Sequence, residues 1–569
     1  MISQQNVLSW ATFFPLLGLG LIVLFAAIRS LAGLSKAGLD QAARLIAMVT
    51  SGGSLACALL AWHWYDPTAA GTMVNGHATG VQLVQHFIWI KAFNVEYLMG
   101  VDGLSISMVL LSGLISFVAT IASMPWWGGA KYTDMAGMSG HDDGHHPKHF
   151  SVRMVPGYMA MLLLLQTGMM GTFVSLDMFL FYVFWEVSLV PMYFLIGVWG
   201  HERRIYAAVK FFLYTMAGSV LMLAALIYLY NRTGTLDYSV LLQMRASGRL
   251  VFDRVEEIVL FLGFFIAFAI KVPLFPLHTW LPDAHVEAPT AGSVMLASVM
   301  LKMGCYGLVR FCLPLFPGAS RDLAPSIAIL AIIGILYGAL VALVQPNMKK
   351  LVAYTSVSHL GFVVLGIFTF TELGMNGAVY QMLNHGVSTG ALFVLVGYLY
   401  ERRHSLEISD YGGVATVAPN LSAIFLITAL ASMGLPMLNN FVGEYLVLQG
   451  AAQASFRWAV SAAIGVIFAA CYMLWLYQRV FFGETRPEVA AHMPDLGRRE
   501  WAAVLPLVVL MLWMGTLTQS FLPPITKSSA AILDTTKVGV SFDVHRHPLA
   551  DPRPPGSGLA GRQEVARAR

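Results

Sequence analysis

The chain has 569 residues, of which 57% are hydrophobic and only 11% are charged, whereas soluble proteins carry roughly 25% charged residues. This composition, with a mean hydropathy of +0.69, excludes an ordinary soluble protein and indicates many membrane-spanning helices in a lipid bilayer. The net charge of +4 is the small difference between 34 basic and 30 acidic residues, so we expect no nucleic-acid partner.

Apolar runs of about twenty residues, the length that crosses a bilayer as a helix, recur along the whole chain. We predict an all-α polytopic membrane protein with about fourteen transmembrane helices, near 7–28, 45–63, 102–123, 156–175, 176–198, 210–230, 255–276, 288–312, 326–345, 349–370, 376–399, 419–449, 456–480 and 501–522.

The distribution of positive charge predicts the orientation. The first run has no Lys or Arg before it and Arg29 directly after it, so we interpret it as a permanent helix with its N-terminus outside. The cytoplasmic loops then hold about twice as many Lys and Arg residues as the outer loops. This count places Lys349 and Arg402 in cytoplasmic loops and Arg310 in an outer loop.

The runs divide the chain into six segments. These are N-terminal helices in 1–123, a His-rich cytoplasmic loop at 124–155, five-helix sets at 156–312 and 326–480, a last transmembrane helix in 481–523 and a disordered tail at 524–569. The loop contains the run HDDGHHPKH at 141–149, which could hold a divalent metal but is more typical of a solvated loop, so we predict no metal site. The cysteines lie in apolar runs without ligand spacing and are expected to be buried free thiols: Cys57, Cys305, Cys312 and Cys471.

Six titratable side chains fall inside six different predicted helices, where each costs a few kcal/mol or more. They are Glu186, Lys271, Lys302, His359, His385 and Glu444. Structural ion pairs could explain one or two of them, and a lone membrane histidine could equally be a hydrogen-bonded packing group. One group on each of six helices indicates instead a row of proton-exchanging side chains.

Each residue type in this row suits proton transfer. A buried lysine holds its proton more weakly, and a nearby carboxylate reverses that effect, so Glu186 beside Lys271 would act as a switch. A histidine titrates close to neutral pH and can pass a proton through either ring nitrogen. His359 and His385 are therefore suitable intermediates.

Two of the predicted helices are interrupted. Pro273 and Pro276 interrupt one of them, and Gly434 and Pro436 interrupt the other. Backbone groups freed in this way are tolerated in a membrane only beside protein or water. Each interruption lies close to a buried charge, Lys271 in one case and Glu444 in the other. The interrupted helix is fourth in each set of five, which predicts two inverted five-helix repeats around an ion path.

Two runs carry a family resemblance, KVPLFPLHTWLPDAHVEAPTAGSVMLASVMLKMGCYGLVR at 271–310 and NMKKLVAYTSVSHLGFVVLGI at 347–367. They resemble the proton-translocating, antiporter-like membrane subunits of respiratory complex I, the NADH:quinone oxidoreductase, over about residues 150–480. The L-type and N-type subunits of that family, and the related antiporter subunits, have Lys where this chain has Glu444. The chain after Thr516 is also too short for the long extension of the L-type subunit.

The resemblance implies a role for each buried charge. Glu186 and Lys271 would form the coupling ion pair, and Lys302 would be the central proton carrier. The two histidines would link Lys302 to Glu444, the last group toward the outside. Three residues after the first interruption would take up protons from the cytoplasm, or alternatively cap a helix or anchor a loop: His278, Asp283 and His285.

The resemblance also implies that this subunit holds no cofactor, and the sequence has no glycine-rich nucleotide turn, flavin site or cluster-binding cysteine set. FMN, iron–sulfur clusters and quinone would belong to partner subunits. The expected partners are other membrane subunits of complex I, especially the L-type and N-type subunits, in the bacterial cytoplasmic (inner) membrane. The expected function is proton translocation driven by redox chemistry on those other subunits.

Two other functions compete with this interpretation. A subunit of a stand-alone Na⁺/H⁺ antiporter would share the helices and buried lysines without a redox partner, but Glu444 and the missing extension favour the first interpretation. A purely structural membrane scaffold would tolerate the loss of any buried charge, and six such charges on six helices argue against it.

Overall fold

The computed structural model describes residues 2–32, 36–69, 71, 73–74, 77–78, 80–124 and 155–537, and these are mostly helical. Twelve helices in this part of the chain are long and apolar enough to cross a membrane. Two interrupted helices, in 254–287 and 419–454, coincide with the two other predicted runs, so the structure is consistent with the prediction of about fourteen membrane helices. The histidine run at 141–149 lies outside the described residues.

The N-terminal part contains three long helices, α1 (Val7–Ala32), α2 (Lys36–Trp64) and α3 (Gly103–Ala122). Between α2 and α3 the chain forms two antiparallel hairpins, which the sequence interpretation missed. Their strands are β1 (Met73–Val74), β2 (His77–Ala78), β3 (Gln82–Ile90) and β4 (Val95–Val101). Asp102 then begins α3, because its side chain accepts a hydrogen bond from the Ser105 backbone N–H at 2.9 Å.

The next part corresponds to the first predicted five-helix set. Its helices are α4 (Val155–Val174), α5 (Met178–Trp199), α6 (Arg204–Thr233), α7 (Tyr238–Ala246), α8 (Arg254–Lys271), α9 (Trp280–Glu287), α10 (Thr290–Met295), α11 (Leu301–Gly307) and α12 (Leu313–Leu315). Two π-helical turns, Leu296–Met300 and Leu308–Cys312, join the last three helices into one span.

The second set follows directly. Its helices are α13 (Pro317–Leu343), α14 (Met348–Ile367), α15 (Glu372–Arg403), α16 (Val414–Val417), α17 (Pro419–Ser432), α18 (Asn439–Ala454) and α19 (Phe456–Phe481). The chain ends with α20 (Pro487–His492), α21 (Arg498–Thr516) and α22 (Leu522–Thr535).

The predicted disordered tail at 524–569 is wrong at its start, because α22 extends through it to Thr535. This helix buries Ile525 and Ile532 against the bundle, and Ser528 Oγ accepts a hydrogen bond from the Gly103 backbone N–H at 2.8 Å. Burial of that apolar face stabilises the helix. Residues 538–569 lie outside the described part.

Both predicted interruptions occur where proline and glycine prevent a continuous helix. The first separates α8 from α9, and its Phe275–Pro276 peptide bond is cis. The second separates α17 from α18, and Gly434 adopts a φ of +78° there, a left-handed conformation that favours glycine. Each interruption is partly exposed, at Pro276 in the first and at Leu435 and Met437 in the second, while the charges beside them, Lys271 and Glu444, are buried.

The two sets share a local motif that supports the repeat prediction. In the first set, the Met178 N–H donates to the Leu236 carbonyl at 2.9 Å, just as α5 begins. In the second, the Met348 N–H donates to the Leu406 carbonyl at 2.8 Å, just as α14 begins. Both residues of the second bridge lie 170 positions after their counterparts, so α5 and α14 start in equivalent ways.

Two spans lie at the centre of the bundle. The span Thr290–Leu315 and the span Glu372–Arg403 are fully enclosed, since every residue in their most apolar window is buried inside the protein. Lipid-facing helices such as α1 bury only 28% of that window. Lys302 and His385, one on each of these spans, are both fully buried.

Four residues are placed differently from the sequence interpretation. Lys349, Arg310 and Arg402 were assigned to loops, but each is buried and contacts protein oxygens. Their long side chains reach polar partners inside, which offsets the cost of burying the charge. Cys471 was expected to be buried and is exposed on α19, whereas the other three cysteines are buried.

Candidate functional site

Lys302 stands at the centre of the molecule, on α11 between the two π-helical turns. Its side chain is fully buried, and its ammonium donates to the carbonyl oxygen of Ala297 at 2.6 Å. Ala297 belongs to the π-helical turn, where the ordinary hydrogen-bond ladder of the helix is disturbed. The local helix distortion thus provides an acceptor for the lysine.

Lys302 also meets a histidine of the neighbouring central helix. Its Nζ lies 2.6 Å from Nδ1 of His385, which is fully buried on α15. When Lys302 is charged, its ammonium donates a hydrogen bond to Nδ1 of His385. When Lys302 has given up that proton, Nδ1 of His385 carries it and donates to the neutral amine. One proton can therefore move between the two nitrogen atoms along an existing hydrogen bond.

His385 faces a second buried histidine, His359 of α14. The centroids of the two rings are 5.9 Å apart, and Nε2 of His385 has no hydrogen-bond partner among the described residues. The rings are neighbours without a direct hydrogen bond. A proton passes between them only through an intervening water or after a ring has moved.

His359 connects to the last predicted group of the row. Its Nδ1 lies 2.8 Å from Oε1 of Glu444, and its Nε2 lies 3.2 Å from the hydroxyl of Tyr472. The same Glu444 oxygen accepts a hydrogen bond from Nε2 of Gln381 at 3.0 Å. Both nitrogen atoms of His359 are thus engaged, and the Glu444 carboxylate has two partners.

The second interruption lies directly beside Glu444. A Cβ atom added to Gly434 would stand 2.9 Å from Oε2 of Glu444, so only glycine leaves this space to the carboxylate. Glu444 itself lies on α18, after the interruption, whereas Lys271 ends α8, before the first interruption. The two charges flank equivalent interruptions from opposite sides.

The predicted pair Glu186–Lys271 is not closed by a hydrogen bond. Nζ of Lys271 and Oε1 of Glu186 both lack a hydrogen-bond partner among the described residues, although the carboxylate acts on the lysine charge. The ammonium lies 4.9 Å from the centroid of the Trp185 ring instead. A cation–π contact of this kind holds a lysine less firmly than a carboxylate bond does.

The three predicted uptake residues separate into different environments. Asp283 accepts a hydrogen bond from Nζ of Lys210 at 2.7 Å near the protein surface. His278 is buried, and neither of its ring nitrogens has a partner in the described structure. His285 is fully buried and stacks on Phe393 at 4.5 Å between ring centroids, and its two ring nitrogens also lack hydrogen-bond partners within the described residues. Of the three, His285 is the one whose charge Lys302 influences.

Several contributors were missed by sequence reasoning. Gln381 and Tyr472 form hydrogen bonds with residues of the row, and the charge of Lys349 acts on His285. A signal for Gln381 was present, because Gln381 precedes His385 by four residues and thus shares its helix face. No such signal exists for Tyr472, which reaches the row only through helix packing.

A further buried charge pair lies away from the row. Nη2 of Arg310 donates to Oδ1 of Asp102 at 2.7 Å, and the guanidinium lies over the rings of Tyr306 and Tyr238 at 5.2 and 5.7 Å from their centroids. Among the described residues no group of three His, Cys, Asp or Glu side chains lies close enough to hold a metal ion. The pair joins α3 to the central span and is satisfied without any further group.

Comparisons with known proteins show which family this chain resembles. Residues 175–469 match the family described as NADH:quinone oxidoreductase/Mrp antiporter, TM. NADH-quinone oxidoreductase subunit M of Rickettsia prowazekii (strain Madrid E) is 42% identical over 442 residues, which cover 78% of this chain and 84% of that protein. The subunit M of Rhodobacter capsulatus is 41% identical over 522 residues, covering 90% and 93% of the two chains.

A solved structure is similar over nearly the whole length. A chain of the respiratory complex I from Thermus thermophilus with bound NADH has a TM-score of 0.76 and 30% sequence identity. The match covers 93% of this chain and 99% of that chain.

Proposed function

We propose that the buried charges of this chain form one proton path. The chain belongs to the NADH:quinone oxidoreductase/Mrp antiporter family of membrane proteins, and within it to the subunit M branch. The chain is a proton-translocating, non-redox membrane-arm subunit of NADH-quinone oxidoreductase, respiratory complex I. Glu444 argued against the L-type and N-type subunits, and the relatives, which are subunits M, confirm this. A subunit of a Na⁺/H⁺ antiporter is the less supported alternative, because the relatives at 41–42% identity are quinone oxidoreductase subunits.

The observation that carries the proposed path is the series of contacts from Lys302 to Glu444. Two hydrogen-bonded pairs, Lys302–His385 and His359–Glu444, face each other across the 5.9 Å between the two histidine rings. A proton moves freely within each pair, and the gap between the rings controls transfer from one pair to the other. The path therefore has one gate, which prevents protons from leaking when no energy is supplied.

The pair Glu186–Lys271 would control this path. Because Lys271 is held by an aromatic ring and not by a hydrogen bond, its ammonium can approach Glu186 or move away from it. Closing the pair would change the electric field at Lys302. Redox chemistry on partner subunits would drive that closure, and each cycle would move a proton from Lys302 toward Glu444.

The half-channels of this path would be the two repeats, 156–312 and 326–480. His278, Asp283 and His285 would take up protons from the cytoplasm for the first of them. His285 is the best placed of the three, since it is buried within the electrostatic influence of Lys302.

The assembly around this chain is inferred from the same family. We expect the L-type and N-type antiporter-like subunits as neighbours in the membrane arm, and FMN, iron–sulfur clusters and quinone on other subunits. This chain would hold no cofactor, since its four cysteines lack cluster spacing. It would lie in the bacterial cytoplasmic (inner) membrane with its N-terminus outside, as the charge of the loops predicts.

The test of the proposed path is proton pumping by assembled complexes that carry Lys271→Ala or Glu444→Ala. Losing a proton-transferring group slows its step by about 100-fold or more, so both variants are expected to pump fewer protons per NADH oxidised. NADH oxidation and the amount of assembled complex in inverted membrane vesicles provide the reference. Full pumping in both variants would contradict the proposal.

A further inference from the structure

A third buried lysine, besides Lys271 and Lys302, lies at the end of the bundle where α14 begins. Lys349 is only 4% exposed, its ammonium donates to the carbonyl oxygen of Ala288, and the carbonyl oxygen of Val286 lies 3.5 Å away. These carbonyls belong to the end of α9, where helix geometry leaves carbonyl groups without partners. The lysine is thus held by neutral oxygens and not by a carboxylate hydrogen bond.

Glu287 and His201 complete the surroundings of this lysine. Oε2 of Glu287 accepts a hydrogen bond from the Arg203 backbone N–H at 2.9 Å, and its carboxylate acts on the Lys349 charge. The Glu287 carbonyl accepts from the His201 backbone N–H at 3.0 Å. Burial and, next, the charge of Lys349 lower the pKa of the His201 imidazole to about 3, so this ring is neutral at neutral pH.

The cluster continues inward through His285, two residues before Glu287 on the same helix. The charges of both Lys349 and Lys302 act on His285, with Lys349 the stronger of the two. The Val286 carbonyl that lies 3.5 Å from Nζ of Lys349 belongs to the residue directly after His285, so Lys349 lies beside the segment that carries this histidine. The free ring nitrogens of His285 provide a site that can receive a proton from one side and give it up to the other.

We propose that Lys349, with Glu287 beside it, is the proton-uptake site that reloads Lys302 by way of His285, an inference that rests on the proposed proton path. A proton leaves Nζ of Lys349 for a ring nitrogen of His285, the imidazolium then gives a proton to neutral Lys302, and Lys349 takes a new proton from the cytoplasmic side. No electron moves in these steps. Burial disfavours the charged lysine and Glu287 favours it, so both protonation states are accessible.

The test compares variants of two adjacent lysines in NADH-oxidising inverted vesicles that contain the assembled complex. Lys349→Met is expected to lower pumping per NADH to the level of Glu444→Ala. Lys350→Met removes the same charge from the same helical turn at a partly exposed position, and it is expected to pump like the parent. Lys349→Arg retains the charge and the donors but does not release its proton, so it is expected to fail as well.

Each outcome decides the proposal. Normal pumping by Lys349→Arg would mean that Lys349 only anchors the α9 carbonyls. An equal loss of pumping in Lys350→Met and Lys349→Met would mean a general effect of charge. Either result overturns the proposal that Lys349 is the uptake site. Normal pumping by Glu444→Ala would instead contradict the proposed path itself. If the Lys349 variants do not assemble, Glu287→Gln replaces them.

The Glu287→Gln variant keeps an oxygen that accepts the Arg203 N–H and removes only the charge. Reduced pumping by this variant supports the uptake site, because the lysine then loses the group that favours its charged form. Full pumping overturns it.

Discussion

At the scale of single residues, the buried charges differ in how firmly they are held. Lys302 has two hydrogen bonds, to Ala297 and to His385, whereas Lys271 lies over an aromatic ring without one. A hydrogen bond to a charged group contributes about 1.5–3 kcal/mol. The residue expected to respond first to a change in the neighbouring subunit is therefore Lys271, and Lys302 is the better store for a proton.

The pair Asp102–Arg310 makes a prediction about stability. Arg310→Met removes one partner of a buried ion pair and leaves the Asp102 carboxylate without its main partner, which costs about 3–5 kcal/mol. We expect thermal unfolding of the purified complex to begin at a lower temperature, with dissociation of this subunit. A variant with unchanged unfolding temperature would mean that the pair contributes no net stability.

The pair Asp102–Arg310 also predicts how the stability difference between the parent and Arg310→Met depends on pH. Burial raises the pKa of Asp102, but the Arg310 charge and the hydrogen bonds from Arg310 and Ser105 outweigh it, so the pKa lies below its ordinary value. The stabilisation is therefore fully present above about pH 4, the ordinary pKa of an aspartate, and is lost as the pH falls through the lowered pKa. The parent and Arg310→Met should become more similar below that range.

At the scale of elements, the interruptions of the helices could be predicted and two other features could not. Proline and glycine that lie close together inside an apolar run indicate an interruption, because they remove a donor or permit a left-handed backbone. Single prolines such as Pro191 and Pro506 instead lie inside continuous helices. The hairpin of β3 and β4 was missed because its strands are too short to register as membrane runs. The start of α22 was missed because its prolines are also typical of a loop, although proline is favoured in the first turn of a helix.

Gly434 makes a prediction at this scale. Gly434→Ala places a methyl group 2.9 Å from Oε2 of Glu444 and strains a backbone with a φ of +78°. We expect a stability cost of about 1–2 kcal/mol and a loss of pumping, because the carboxylate has to move away from His359. Proton uptake by vesicles, normalised to NADH oxidation, measures this effect.

Gly248→Ala is the matched control for that variant. Gly248 has a similar φ of +71° but open space around the position of a Cβ atom. The Gly248→Ala variant should therefore have the cost in stability from backbone strain without the loss of pumping. Equal pumping defects in the two variants would attribute the effect to backbone strain and not to Glu444.

At the scale of the whole molecule, the six charges could be identified from the sequence but their partners could not. A titratable residue inside an apolar run is visible without a structure, whereas the contact of His359 with Glu444 depends on how α14 and α18 pack. The same limit explains why Lys349 was assigned to a loop. It begins a helix, and only the neighbouring α9 shows that its side chain points into the protein.

The central claim is that protons cross this subunit through Lys302. The most direct test is the number of protons pumped per NADH by complexes that carry Lys302→Met, measured with the parent at equal amounts of assembled enzyme. The side chain keeps its approximate length and loses both hydrogen bonds and charge. We expect NADH oxidation to continue and fewer protons to be pumped per NADH. An unchanged number of protons per NADH would contradict the central claim.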